Sequence, residues 1–170
     1  MNAYNIGFAV GILIGLILVA VIFAVKKKKR GKGEYDERQE LIRCRGYKLA
    51  YFTLMIGTAF VLCFKAGDGF KYVDTDTAFV ISIMISIVVF AVYCIIKDGY
   101  FGVFEKPKSV LVELFIIGVA NLVIGLVNKE KWFVDGKLSM GSTNIICAVT
   151  ILIVTLAGMI KLLLVKREDE

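Results

Sequence analysis

Five apolar runs, each close to the length of a bilayer crossing, dominate this chain. They fall at about residues 6–25, 49–64, 77–96, 110–128 and 143–165. The hydrocarbon core of a membrane takes roughly 20 apolar residues of helix. Backbone in lipid must also satisfy its own polar groups, which a helix does internally. A soluble domain of 170 residues would instead show amphipathic periods of 3.6 or 2. These runs are apolar on every side, and the chain as a whole is 58% apolar, above the half that soluble domains average. The reading is an all-α, polytopic transmembrane helical bundle of five spans. Residues 1–170 form a single integral membrane domain.

Charge sets the threading. The stretch 26–48 holds ten of the 21 Lys and Arg residues. Cytoplasmic loops of membrane proteins collect these residues. With that stretch inside, the N-terminus lies outside and the C-terminus is cytoplasmic. Sixteen Lys and Arg then face the cytoplasm and five face outward. The net charge of +6 follows from this bias and implies no nucleic-acid partner. The first span carries its basic flank on the C-terminal side, the reverse of a secretory signal peptide, so it is expected to be retained. Anionic lipid headgroups are the expected partner of Lys26–Arg30.

Within 26–48, Gly31 and Gly33 interrupt the basic run, and Asp36 stands where a helix N-cap is wanted. Gln39 three residues later completes a capping-box pattern, and Glu37 and Glu40 suit the positive end of the helix dipole. Arg43, Arg45 and Lys48 come later, where they are expected to meet lipid phosphate or the cytoplasm. The spacing predicts a juxtamembrane helix from about Asp36, running along or into the interface and on into the second span. Asp36, Glu37, Arg38 and Gln39 are its motif residues. The Tyr-Asp-Glu-Arg-Gln start, the apolar Leu41 and Ile42 a turn later and the Gly-Tyr-Lys-Leu-Ala entry into a span resemble small multi-pass membrane proteins of bacteria, chiefly Gram-positive. Those proteins carry a D-E-R juxtamembrane motif and form domains of unknown function. The resemblance covers about thirty residues. It implies a bacterial plasma-membrane protein and supplies no activity or catalytic residue.

Other residues bear on packing and binding. Gly7, Gly11 and Gly15 recur every fourth residue, a ridge that lets a second helix backbone approach closely. Gly118 and Gly125 offer the same on the fourth span, in a seam with Asn121 and Asn128. Glu113 lies about one turn inside that span, and an ionisable residue in a membrane helix marks a candidate functional site. Set against this, Glu113 is near enough to the cytoplasmic end to reach Lys106, Lys108 or headgroup water. Ser82 and Ser86 form a second polar seam. Glu113, Asn121, Ser82 and Ser86 are therefore the candidate ligand-binding residues. Pro107 suits a helix start, Trp132 and Phe133 an interfacial anchor, and Asp135-Gly136 either a hairpin or an irregular turn. Lys161 lies near the cytoplasmic end of its span and can snorkel.

The four cysteines form no CxxC pair and there is no histidine. No metal site, cofactor or catalytic residue is expected. The leading function class is a non-enzymatic accessory or interaction protein, packing against a membrane-protein partner or a second copy of itself. The alternative is a small solute transporter subunit or permease with a site around the fourth span.

Overall fold

The computed structural model describes Ile17 and residues 35–67 and 69–168. The chain divides into two compact units, Met1–Glu34 and Tyr35–Glu170, and the architecture below is that of the second. Apart from Ile17, the first expected span, with Gly7, Gly11, Gly15 and the run Lys26–Arg30, lies outside the described residues.

Four long helices make up the unit: α1 (Glu37–Ala66), α2 (Thr75–Ile96), α3 (Pro107–Val127) and α4 (Thr143–Glu168). All four are long and apolar enough to cross a membrane, as a multi-pass membrane protein requires. Helix α1 runs unbroken for 30 residues, about 45 Å. That exceeds the roughly 30 Å hydrocarbon core, and the surplus is the charged portion from Glu37 to Lys48. Helix α3 begins with Pro107 in its first turn, where the missing N–H costs nothing.

The helices pack in the order α1–α2–α4–α3. Small residues set each approach. Between α1 and α2, a Cβ on Gly57 would lie 2.9 Å from Cβ of Ser82, and one on Gly46 2.9 Å from Sγ of Cys94. Tyr47 stacks on Phe90 beside that contact, ring centroids 4.5 Å apart. Between α3 and α4, Gly118 sits against Leu152, Gly125 against Ile145, and Gly158 leaves no room beside Leu111. Ala91, Ile95 and Val154 form the apolar centre where α2 meets α4, with Leu114 of α3 and Tyr100 against it.

The two ends of the unit differ. At one, the α1–α2 and α3–α4 connections knit together. Phe133–Val134 (β1) and Lys137–Leu138 (β2) form a two-residue hairpin. Asp135 and Gly136 both take positive φ, 50° and 74°, as a twist-matched hairpin turn requires. Val73 bridges to Leu138, so the other connection adds a strand-like contact. The indole N–H of Trp132 donates to the carbonyl of Gly125 at 2.9 Å, near the end of α3. The opposite end gathers the start of α1, the α2–α3 connection and the end of α4. It is called the basic end below.

Candidate functional site at the basic end

The local sequence Asp36-Glu37-Arg38-Gln39 starts α1 with a capping box. Asp36 Oδ1 accepts from the Gln39 amide at 2.6 Å, and Gln39 Oε1 accepts from the Asp36 amide at 3.3 Å. A capping side chain uses only its acceptor in this role. Gln39 also has an amide nitrogen, and it is spent on another part of the chain. Gln39 Nε2 donates to the carbonyls of Asp98 and Phe101, each at 3.1 Å.

The receiving carbonyls are free because of how α2 ends. The Gly99 amide returns to the carbonyl of Cys94 at 2.8 Å and the Asp98 amide to Ile95 at 3.3 Å. This is the paired closure of a Schellman motif. Asp98 occupies its left-handed position, φ 63°, where glycine is usual and aspartate is among the better substitutes. The turn directs its carbonyls toward α1 and its carboxylate toward α4. Lys161 Nζ lies 3.2 Å from Asp98 Oδ1 and donates to the Ile96 carbonyl at 3.4 Å. Gly99 itself faces Ile42 closely; a Cβ there would lie 2.6 Å from Ile42 Cγ2.

Arg43, one turn after Gln39, completes the docking. Its Nη1 donates to the carbonyls of Gly99 and Tyr100 at 3.4 and 3.5 Å, and its Nη2 to the Tyr47 hydroxyl at 3.3 Å. The guanidinium lies 4.1 Å from the ring centroid of Tyr35 and 5.6 Å from that of Phe90, within cation–π range. Burial pushes the half-buried Tyr100 phenol above its ordinary range, against the downward pull of Arg43. The chain matches no protein-family model, no curated protein and no solved structure.

With Gln39 and Arg43 turned toward the 97–102 connection, the remaining charges of the first turns face away. Glu37, Arg38, Glu40, Arg45 and Lys48 are all exposed. The motif thus does two things at once. It fastens a helix extension to the bundle and presents mixed charge on the outer side.

The other candidate residues are distributed. Ser82 and Ser86 donate to carbonyls of their own helix, Ala78 at 3.0 Å and Ile83 at 2.7 Å, and Ser82 lies in the α1–α2 seam. Asn121 donates to Ile117 at 2.9 Å on α3, which packs against α4. Glu113 is exposed and pairs with neither Lys106 nor Lys108. On α3 the buried positions are Leu111, Gly118 and Gly125, and Glu113 lies on a different side. Two packing seams separate the serines from the α3 residues. Among the described residues no group of three or more His, Cys, Asp or Glu is placed to hold a metal.

The sequence reading sends Arg43, with Arg45 and Lys48, to lipid phosphate or the cytoplasm, whereas the structure turns it onto the carbonyls of Gly99 and Tyr100; Asp98 and Gly99 it does not single out. An Asp-Gly pair directly after an apolar run is a helix-stop and turn signal, and it stands at 98–99 as plainly as at 135–136. Nothing local marks Arg43 apart from its neighbours Arg38 and Arg45.

Proposed function

We propose that this chain is a five-span protein of the bacterial plasma membrane, N-terminus outside and C-terminus cytoplasmic, acting as a non-enzymatic accessory or interaction protein. The positive-inside bias assigns the basic end to the cytoplasm, with the Lys26–Arg30 run against anionic headgroups on the same side. The observation that carries the functional reading is the docked start of α1. Gln39 and Arg43 anchor it to the 97–102 connection, while five charged side chains of the same turns stand exposed. A rigid surface loses less conformational freedom on binding, and mixed charge selects a partner by complementarity. Five of the hydroxyls and amides inside the bundle support the same reading, since those of Ser82, Ser86, Asn121, Thr150 and Thr155 are engaged with their own helices; the buried Thr77 hydroxyl is without a partner among the described residues.

The test is a photo-crosslinking residue at Arg38 or Arg45 in intact cells, with purification in mild detergent. The expected result is one discrete adduct from both positions and a stoichiometric co-purifying protein. Arg38→Glu with Arg45→Glu should remove both without lowering the melting temperature. A protein that purifies alone and is thermally stabilised by a solute would favour the transporter reading instead. A charge-reversed variant that keeps its partner would overturn the proposal.

A further inference from the structure

Helices α3 and α4 do not close completely on each other at the basic end. They leave an open groove of about 410 Å³ bordered by Lys108, Val112 and Phe115 on α3 and by Met159 and Leu162 on α4, with Leu111 at its floor. The cause lies in the packing. Leu111, only 4% exposed, is pressed against Gly158, and the groove opens beside that contact. From Lys108 to Phe115 the groove runs along seven residues of helix, about 10 Å. Its walls are apolar, and its one charged border residue is at the end. Lys108 makes no ion pair or hydrogen bond among the described residues, and Lys106 stands beside it at the start of α3, equally unpaired.

We propose that this groove holds one acyl chain of an anionic phospholipid from the cytoplasmic leaflet, with the lipid phosphate at Lys108. The proposal rests on the reading of these helices as membrane-spanning with the basic end inside, and is independent of the partner at α1. Charge complementarity selects the occupant. A partner helix seated here would carry its own side chains past an unpaired ammonium, whereas an anionic lipid brings a phosphate to that height and a flexible chain to the apolar part. Annular lipid exchanges over the whole surface; this site differs in pairing a concave apolar wall with a cation at its end.

The full chain, purified in detergent, is titrated with phosphatidylglycerol or phosphatidylcholine, and retained lipid is counted by native mass spectrometry. One phosphatidylglycerol should be kept preferentially. Lys108→Gln should reduce that preference about fivefold, the effect of one cation near an anionic headgroup. Val112→Trp should displace both lipids; Val112 is 57% exposed, so the larger ring fills the groove without entering the packed seam. Replacing Lys26–Lys29 by glutamine should leave the single retained lipid in place. The site is refuted if Lys108→Gln keeps the full preference, if folded Val112→Trp keeps the lipid, or if the preference disappears with Lys26–Lys29 instead. Retention of a second protein chain in place of lipid would also refute it. In each of these cases a chain that stays folded in detergent leaves the membrane-spanning reading standing, so the two fail separately.

Discussion

Gln39 makes contacts that no neighbouring side chain duplicates. Its oxygen caps α1 and its nitrogen holds two carbonyls of the α2–α3 connection. The roles separate by substitution. Gln39→Glu keeps an acceptor for the Asp36 amide and loses the donor, so it should release the 97–102 connection while leaving the helix start ordered. Gln39→Ala should lose both, at about 1–2 kcal/mol. Amide hydrogen exchange resolves the two: both variants speed exchange near residue 100, and only Gln39→Ala speeds it near residue 38. Equal exchange near residue 38 in both would show that the cap does not depend on the side-chain oxygen. Tyr100 adds a pH signature to the same contact. Its raised folded value means that the neutral phenol is the form held by the fold. Its contribution is intact below the ordinary tyrosine range near about pH 10 and is lost as pH climbs through the raised value. Tyr100→Phe should flatten the alkaline fall in melting temperature; an unchanged slope would assign that fall to other groups.

At the scale of elements, α2 is the helix that α1 packs against among the described residues. The contact runs through Gly46 and Gly57, and a side chain at Gly57 meets Ser82 directly. Gly57→Leu should wedge the two helices apart and cost about 1–3 kcal/mol, whereas Met55→Leu on the exposed side should cost little. Comparison of their thermal unfolding checks this. Equal stability would mean that the seam is not the contact holding α1. These elements also show what was legible in the sequence. The start of α1, Pro107 at the start of α3 and a turn at Asp135-Gly136 were readable because each is written in residues within a few positions of one another, though whether that turn closes a hairpin was not. The α1–α2 seam was not. Gly46 and Gly57 are too far apart to stand out as a motif, and the meaning of Ser82 depends on a glycine in another helix. The docking of Gln39 and Arg43 was equally hidden, because its acceptors are backbone carbonyls, which carry no sequence signature. Glu113 was legible as unusual, and the structure leaves it exposed on α3 with no partner among the described residues.

Across the whole four-helix unit, the row α1–α2–α4–α3 is tied at both ends by connections that cross between helix pairs. The hairpin end uses backbone bridges, Val73 to Leu138. The basic end uses side chains, with Asp98 between Gln39 of α1 and Lys161 of α4. Lys161 and Asp98 are partly exposed, so their ion pair is expected to add at most about 1 kcal/mol; the carbonyl contacts of Gln39 and Arg43 hold the end together. Orientation is open to a separate check. Cys44 is exposed on α1, and a membrane-impermeant thiol reagent should reach it only after the cytoplasmic side is opened. Labelling of Cys44 in intact cells would reverse the assignment of the basic end.

The docking of α1 on the α2–α3 connection is tested most directly by an engineered disulfide. A Cβ at position 99 would lie 3.0 Å from Cβ of Ile42, about half an ångström inside the range that a disulfide bridges, so a small outward shift of the connection brings the pair into register. With Cys44, Cys63 and Cys147 replaced by serine, mild oxidation of Ile42→Cys/Gly99→Cys in native membranes should close the bond nearly completely. Leu41→Cys/Gly99→Cys, with its first cysteine on the exposed side of α1, should stay reduced. Equal oxidation of the two pairs, or none in the 42/99 pair, would contradict the docked helix and with it the charged platform on which the proposed function rests.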